Sequence, residues 1–344
     1  MTQPSPQNRP FSQILLSYYL YQNKRVWKHI PEAVRSLPLG QAYGRHLHSL
    51  VCRLSDRRQS FGTFFLRNRP ELELMRRLTS PYPQGSPVKI AILACSKGAE
   101  VYSMLWAIRS ARPDLKINTC AVDISEEILA FAAAGIYGRD DLNPQDHPDS
   151  SNFADVDRNT YRDQIASIFE RMSPDEVAGM FDVQDGRASV RPWLREGIQW
   201  RHGNAADPRL VEILGLQDIV VANRFLCHMK PANAESCLRN LVRLVKPGGY
   251  LFVSGVDLDV RTKIAREMGW KPVTVLVNEI HEGDSSLRKG WPLEYWGLEP
   301  ARFKRTDSQI RYASVFQIPG DLRPEAGNPL RASNPATRLL APTQ

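Results

Sequence analysis

The 344-residue sequence lacks the long apolar segments that a membrane-spanning helix requires. No uninterrupted apolar run approaches the roughly 18–20 residues needed to cross a bilayer. The first ten residues, MTQPSPQNRP, are polar and proline-rich and do not resemble the apolar core of a signal peptide. We therefore expect a cytoplasmic protein that does not insert into a membrane.

Paired cysteines are also missing from the sequence. The five cysteines are scattered, and no two are spaced as C-x-x-C, so a zinc ribbon or a dithiol redox motif is not indicated. We interpret them mostly as buried thiols in a reducing compartment. Glu279 and His281 lie close together, but no second pair of metal ligands accompanies them, so we expect no metal site.

Acidic residues are scarce at one end of the chain. Residues 1–80 hold 13 Lys and Arg but four Asp and Glu, whereas the whole chain carries a net charge of +8. This basic end could attract an acidic partner, or it could simply be a solvated helical surface. Aromatic residues are not regularly interleaved with the basic ones, so nucleic acid is not specifically indicated.

The sequence contains a clear change of pattern near residue 80. Residues 11–80 show apolar residues at helical spacing, and 79–87 is rich in turn-forming residues. Beyond this point, short apolar strands alternate with amphipathic helices. We predict strands at 88–95, 116–124, 198–204, 216–223 and 248–256, an edge strand within 310–318, and helices at 99–111, 125–135 and 232–245. This alternation predicts an α/β fold with a mostly parallel sheet and helices on both faces.

Three predicted strand ends carry residues suited to ligand binding, because ligands of open α/β sheets bind at the carboxyl ends of the strands. The first strand runs into the loop Ala94–Gly98, and the second ends at Asp123, where an acid can hydrogen-bond a ribose diol. The fourth ends at Asn223 and Arg224. Taken alone, Asp123 could be a helix cap and the loop an ordinary turn. Together with the stretch LVKPGGYLFVSG (244–255), they are typical of methyltransferases that use S-adenosylmethionine.

Several motifs resemble those of the CheR-type methyltransferases, which methylate glutamates of bacterial chemoreceptors. ACSKGAEVYS (94–103) resembles the family loop A-x-S-T-G-E-E-P-Y-S. AVDISEEILAFAAAGIY (121–137) and TFFLR (63–67) resemble two further family motifs in the same order. The resemblance covers roughly residues 50–256 and the last strand. It implies a Rossmann-like seven-stranded class I methyltransferase sheet preceded by a small all-helical N-terminal domain.

The pattern and composition of the sequence suggest a domain division, and the resemblance implies a cofactor. We predict a basic helical domain over 1–80, a methyltransferase domain over 81–318 and a disordered tail over 319–344. A small β insertion is implied near 181–197, while an aromatic insertion near 260–302 and an extra segment near 145–170 have no clear family counterpart. The implied cofactor is S-adenosyl-L-methionine, with S-adenosyl-L-homocysteine as product.

Particular residues of this chain match positions with known roles in the family. Glu100 would bind the methionyl ammonium group, Asp123 would hold the ribose, and Asn204 and Ala205 would lie against the adenine. The cofactor-binding residues implied by the resemblance are Thr63, Arg67, Ala94, Ser96, Gly98, Glu100, Asp123, Ile124, Asn204, Ala205, Asn223 and Arg224.

The chain departs from the family where the acceptor would bind. Lys97 and Ala99 replace a Thr and a Glu of the family loop, the pair Asn223-Arg224 is reversed, and His228 replaces a Tyr that lies near the transferred methyl group. These departures leave the acceptor open.

Two kinds of acceptor fit the candidate catalytic residues Arg67, Arg224 and His228. A carboxylate is already ionised, and Arg67 or Arg224 could place it bidentately. A hydroxyl or amine must lose a proton, and His228 could accept it, unless this histidine simply packs under the next helix. The first reading gives a methyltransferase acting on a protein glutamate. The alternatives are a small-molecule O- or N-methyltransferase and a non-catalytic binding protein of the same fold.

The aromatic stretch KGWPLEYWGLEP (289–300) allows two interpretations. Trp291, Tyr295 and Trp296 could line an acceptor pocket, since binding sites favour aromatic side chains. They could equally belong to the core. We favour the pocket, because the stretch follows the strand-end region and has no family counterpart.

Overall fold

The computed structural model describes residues 11–138 and 168–320, with side chains from residue 15 onward. Most of the predicted extra segment near 145–170 and of the predicted tail over 319–344 lies outside these residues.

The described chain begins with three helices, Phe11–His29 (α1), Glu32–Arg35 (α2) and Pro38–Leu54 (α3). Pro38 begins α3, at the one helical position where proline costs no hydrogen bond. Helices α1 and α3 pack against each other. The next helix, Arg69–Thr79 (α4), packs instead against the first helix of the α/β unit. By packing, α4 therefore belongs with the α/β unit, and the N-terminal helical region ends before it. The boundary predicted from the sequence lay at residue 80.

The described residues form a seven-stranded sheet in the order β6-β2-β1-β7-β8-β10-β9. The first five strands in this order are parallel, and β10 runs antiparallel to both of its neighbours. The strands are β1 (Pro87–Leu93), β2 (Lys116–Asp123), β6 (Ile198–His202), β7 (Gln217–Val221), β8 (Val245–Phe252), β9 (Lys271–Pro272) and β10 (Val315–Gln317). The predicted α/β fold is thus confirmed.

Helices cover both faces of this sheet. They are Ala99–Ala111 (α5), Glu126–Ala134 (α6), Pro174–Met180, Pro192–Arg195, Leu210–Leu214, Pro231–Leu241, Leu258–Glu267, Val277–Glu282, Ser285–Gly290 and Ser308–Tyr312, with 3-10 turns at Leu226–His228 and Val242–Leu244. Side chains of β1 alternate between two buried clusters: Ile90 and Ile92 face one, Ala91 and Leu93 the other. Burial on both faces explains why the strand is apolar from Ile90 to Leu93.

One expectation about the C-terminal part of the sheet is wrong. The stretch 310–318 contains the end of a helix and then β10, which lies between β8 and β9 and not at the edge. The edge strand is Lys271–Pro272, two residues long, which is too short to show a period-two pattern. The stretch 260–302, for which an aromatic insertion was predicted, begins within the helix Leu258–Glu267 and contains β9.

A second, three-stranded antiparallel sheet is described beside the first. It consists of β3 (Ile136–Gly138), β4 (Phe181–Gln184) and β5 (Arg187–Val190). The hairpin of β4 and β5 lies within the stretch expected to hold a β insertion. Phe181 and Tyr137 of this sheet pack around Phe65, with ring centroids 5.0 and 5.1 Å away. The small sheet therefore fixes the TFFLR loop against the main domain.

Candidate functional site

The loop between β1 and α5 follows an unusual backbone path. Ala94, Ser96 and Gly98 all have positive φ, at 52°, 51° and 81°. Left-handed conformations are uncommon for residues other than glycine, and such strain concentrates at ligand sites. A Cβ on Gly98 would lie 3.1 Å from the Cβ of Ala132 and 3.2 Å from the Tyr102 ring. Glycine is therefore needed at this position both for its backbone conformation and for the space.

Asp123 holds this loop at the carboxyl end of β2. Its buried carboxylate accepts hydrogen bonds from the backbone N–H of Ser96 at 2.8 Å and of Ser125 at 3.0 Å. One side chain thus fixes both the β1–α5 loop and the start of α6. The turn-forming role considered from the sequence is present in this structure, and the ribose contact remains a prediction.

The TFFLR loop is anchored to α5. The Ser103 hydroxyl accepts a hydrogen bond from the backbone N–H of Leu66 at 2.9 Å and donates one to the carbonyl of Ala99. Arg67, the next residue, donates to the Gly62 carbonyl at 2.7 Å and lies over the Phe64 ring. Burial, together with the positive charge of Arg224, lowers the pKa of Arg67 to about 10. Arg67 is thus held rigidly beside the first turn of α5.

Asn223, after the end of β7, connects two carboxylates. Its side-chain nitrogen donates to Glu71 at 2.6 Å and to Glu100 at 2.8 Å. Its side-chain oxygen accepts from the backbone N–H and the hydroxyl of Ser254. Burial and the neighbouring Glu100 raise the pKa of Glu71 to about 8, and burial also raises the pKa of Glu100. Asn223 therefore orients Glu100 from behind.

Asp284 brings arginines together on the other side of the site. Its carboxylate lies 2.8 Å from Arg224 and 3.2 Å from Arg171, and it also caps the helix Ser285–Gly290. Although burial alone would raise the pKa of Asp284, the surrounding guanidinium groups hold it well below its usual range. Gly255 packs against Arg224 so closely that a Cβ there would lie 2.7 Å from the Arg224 Cα.

These side chains line a cavity of about 50 Å³. Thr63, Arg67, Glu100, Asn223 and Arg224, all predicted from the sequence, meet there. Sequence reasoning missed further residues on its wall: Glu71, Ser254, Arg261, His281 and Asp284. The sequence around these residues did not indicate a binding site, since each lies in an ordinary helix or turn.

The chemistry of this wall fits the methionyl end of S-adenosylmethionine. Glu100 offers a half-buried carboxylate to an ammonium group, and Arg67 offers a guanidinium to a carboxylate. Within the described residues, the buried Nε of Arg67 has no hydrogen-bond partner. A buried donor of this kind gains from a ligand acceptor.

The residues predicted to contact adenine lie at the ends of β2 and β6. Ile124 is 49% exposed, and the exposed Asn204 accepts a hydrogen bond from the backbone N–H of Ala206. Ala205 is buried. Asn204 borders a second cavity of about 270 Å³, which also contacts Gly203 and Leu210. The adenine contacts themselves remain predictions.

His228 lies away from the cavity that Arg67 and Glu100 line. Its Nδ1 is 2.8 Å from the hydroxyl of Tyr295, and burial together with Arg224 lowers its pKa to about 4. The structure therefore places this residue in a packing contact, which was the second interpretation of it from the sequence.

The acceptor pocket favoured for the aromatic stretch is wrong. Within the described residues, Trp291, Tyr295 and Trp296 do not line the cavity. The Trp291 ring lies 5.5 Å from Trp27 of α1, and a Cβ on Gly44 of α3 would be 2.3 Å from Trp291. The stretch therefore joins the N-terminal helices to the α/β unit. The error arose because an aromatic cluster has the same composition whether it lines a pocket or packs an interface.

Neither a membrane span nor a metal cluster emerges from the described part of the chain. No helix there combines the length and the apolar character needed to cross a bilayer. No group of three or more potential metal ligands is assembled in those residues.

Two family models match adjacent parts of the chain. The model described as CheR methyltransferase, SAM binding domain, matches residues 62–165, and a methyltransferase domain model matches residues 175–253. The first match contains the TFFLR loop, the β1–α5 loop and Asp123. The second contains Asn204 and Asn223-Arg224.

Curated relatives carry related names. A probable biofilm formation methyltransferase WspC from Pseudomonas putida is 26% identical over 205 residues, or 58% of this chain and 41% of that protein. Chemotaxis protein methyltransferase 1 from Pseudomonas aeruginosa is 27% identical over 180 residues, or 50% of this chain and 56% of that protein. The matched region thus spans about half or less of the length of these relatives.

Solved methyltransferase structures overlap more loosely. The citrinin polyketide synthase CMeT domain matches with a TM-score of 0.32 at 15% identity, covering 53% of this chain and 33% of that one. Magnesium protoporphyrin IX methyltransferase from Synechocystis PCC 6803, with bound SAM, matches with a TM-score of 0.31 at 11% identity, covering 78% and 90%. Such scores add nothing to the strand order described above. The family match over residues 62–165 and the order of the site motifs show that this part of the chain is similar to the SAM-binding domain of CheR methyltransferases.

Proposed function

We propose that this chain transfers the methyl group of S-adenosylmethionine to a carboxylate oxygen of an acidic protein segment. The family matches and the names of the relatives support methyl transfer from this cofactor. The observation that carries the choice of acceptor is the group of arginines around Asp284.

The chain's own residues would bind and align the cofactor. The cofactor itself supplies the electrophilic methyl group and a neutral thioether leaving group. Glu100 would pair with the ammonium group, Arg67 with the methionyl carboxylate, and Asp123 with the ribose. Direct displacement at the methyl carbon requires an aligned nucleophile, so these contacts contribute mainly by orientation.

The charges next to this group suit an anionic acceptor. Within the described residues, the guanidinium groups of Arg67, Arg171 and Arg224 all act electrostatically on the single carboxylate of Asp284. Of the three, Arg67 and Arg224 line the cavity and share this one carboxylate, so their side of the cavity carries more positive than negative charge. A carboxylate is already ionised at neutral pH, so it needs cations to place it and no base to activate it.

The small-molecule alternative gains no support from the geometry. It depended on His228 as a base and on the aromatic stretch as a pocket. His228 bonds to Tyr295, and Trp291 packs on the N-terminal helices.

Transfer of labelled methyl groups tests the proposal directly. The full chain is incubated with S-adenosylmethionine labelled in the methyl group and with acidic bacterial receptor fragments. The expected result is label that enters protein and is released as methanol by mild base, as a carboxyl ester requires. Asp123→Ala serves as the cofactor-binding control and should abolish most incorporation. Label found only in small extracted metabolites would overturn the carboxylate assignment. Failure to bind S-adenosylhomocysteine at millimolar concentration would overturn the enzyme assignment.

A further inference from the structure

The Asn223 amide makes an unusual pair of contacts. Both carboxylates that it contacts, Glu71 and Glu100, are bonded to the same side-chain nitrogen. The orientation of the amide is determined by Ser254, whose backbone N–H can only donate and therefore must face the amide oxygen. Both amide hydrogens are thus directed at acids. The two carboxylate oxygens can be no farther apart than these two short distances added together.

Two carboxylates this close to each other do not readily ionise together in a buried site. Glu71, on α4, is 4% exposed, and the hydrogen-bond partner of its carboxylate is Asn223. Glu100, on α5, is more exposed and is stabilised as an anion by Arg67 and Arg224. Of the two acids, Glu71 therefore keeps a proton at neutral pH, in agreement with its raised pKa of about 8.

The other charged groups facing Glu71 come from every neighbouring element. Arg224 follows β7, and Arg261 lies on the helix Leu258–Glu267. Asp284 caps the helix Ser285–Gly290 and adds a further negative charge. His281, on the helix Val277–Glu282, lines the same cavity, but burial lowers its pKa to about 4, so it stays neutral above pH 6. Arg67 completes the wall. Burial and the neighbouring Glu100 raise the pKa of Glu71 to about 8, so its charge changes near neutral pH.

We propose that Glu71 is a positioning residue for the ammonium group of the cofactor, acting on Glu100 through Asn223, and that cofactor binding releases the proton held on Glu71. The inference rests on the proposed function, since it requires the cofactor to bind at Glu100. An ammonium group arriving beside the pair adds positive charge, which favours ionisation of both acids. The O–H bond of Glu71 breaks, and its proton passes to the solvent buffer.

The direction of the pH dependence follows from this release. Binding lowers the pKa of Glu71 relative to its value in the free chain, so the free chain carries more protons than the complex. Affinity therefore rises with pH up to about 8, at a slope of up to about tenfold per pH unit, and becomes constant above that. The ammonium group of the ligand remains protonated through this range.

Isothermal titration calorimetry of the full chain with S-adenosylhomocysteine tests the inference. Titrations at pH 7 in buffers of different ionisation enthalpy give the number of protons released. The wild type should release between about 0.5 and 1 proton per ligand. Glu71→Gln keeps the shape of the side chain and should release almost none, with an affinity that no longer varies between pH 6 and 8.

A matched control lies on the same helix. Glu73 is bonded to Arg76 and Arg77, which lower its pKa to about 2, so it does not titrate near neutrality. Glu73→Gln should retain the wild-type proton release. Circular dichroism of each variant checks that it is folded.

The outcomes separate this inference from the proposed function. No binding of S-adenosylhomocysteine at millimolar concentration would refute the proposed function. Binding by the wild type without proton release would overturn the role of Glu71 while leaving the function intact. Equal release by the wild type and Glu71→Gln would also overturn it. If Glu71→Gln does not fold, the wild-type titration in two buffers still decides, because it needs no variant.

Discussion

The two ends of the candidate site are built in different ways. At the ribose end, Asp123 and the β1–α5 loop are held by hydrogen bonds between one side chain and nearby backbone groups. At the opposite end, Arg67, Arg224 and Asp284 are held by one another's charges, and Arg67 and Asp284 are more than 200 residues apart in the chain. The first end depends on local backbone geometry, whereas the second depends on tertiary packing and on charge.

This difference has consequences for pH and for substitution. The partners of Asp123 at the ribose end are uncharged backbone N–H groups, so substitution of Asp123 leaves no buried charge without its partner there. Buried side-chain charges carry a large desolvation cost, so removing one partner leaves the other uncompensated. Substitutions at the charged end should therefore have the larger effects.

Arg67→Ala should cause the largest loss. It removes the proposed partner of the methionyl carboxylate and changes the charge balance around Glu100 and Asp284. We expect S-adenosylhomocysteine affinity to fall by at least about 100-fold, which is about 3 kcal/mol. Isothermal titration calorimetry measures this affinity. The control is Arg76→Ala, an exposed arginine paired with Glu73, for which affinity should stay within about twofold. Wild-type affinity in Arg67→Ala would mean that Arg67 does not contact the ligand.

Asp284→Asn should reduce stability by about 2–4 kcal/mol at pH 7, because two guanidinium groups lose their counter-charge. The pKa of Asp284 is depressed in the folded state, so its contribution is present above the unfolded pKa of about 4 and is lost as pH falls further. Urea unfolding at pH 7 and pH 3 should therefore show a smaller difference between variant and wild type at the lower pH.

The comparison for this variant is Asp175→Asn, in the first turn of an exposed helix. It should change the free energy of unfolding by less than about 0.5 kcal/mol. Equal effects of the two substitutions at pH 7 would argue that the arginines around Asp284 are not energetically coupled to it.

Asp123→Ala should have an intermediate effect at the ribose end. It removes the acceptor for two backbone N–H groups and the proposed contact to the ribose. We expect ligand affinity to fall by about tenfold to 100-fold, or about 1–3 kcal/mol. Asp123→Asn keeps one acceptor oxygen and should lose less. If both variants bind as the wild type does, the ribose assignment is incorrect.

His228→Gln should have the smallest effect. Glutamine can still hydrogen-bond the Tyr295 hydroxyl, and His228 does not line the cavity. Ligand affinity should stay within about twofold of the wild type, and thermal unfolding should shift only slightly. A large loss of affinity would indicate that His228 contacts the ligand, and it would support the small-molecule alternative.

Local sequence patterns predicted the strands and the loop at one end of the candidate site. The strand β1, the glycine at position 98 and the acid at position 123 all lie where the sequence placed them. These features depend on residues that are neighbours in the chain. Asp284 and Glu71 were not predicted. Glu71 lies three residues after the helix cap Asn68, where an acidic residue is common for helix capping alone, so its position gave no sign of a site.

The aromatic stretch 289–300 likewise separates what local sequence predicts from what it does not. Its composition predicted a large apolar contact, which exists, but not the partner, which is α1 and α3 and not a ligand. The edge strand β9 was missed because two residues carry no periodic pattern.

By itself, the sequence determined the alternation of strands and helices, the loop after β1 and the acid after β2. Burial on two faces and turn geometry act over a few residues, and both leave a local pattern. Only the tertiary structure decided which charges meet. The contacts of Asn223 with Glu71 and Glu100, and of Arg224 with Asp284, depend on how helices and strands far apart in the chain pack together. No local pattern records such pairings, because the energy of a buried charge is set by its three-dimensional surroundings.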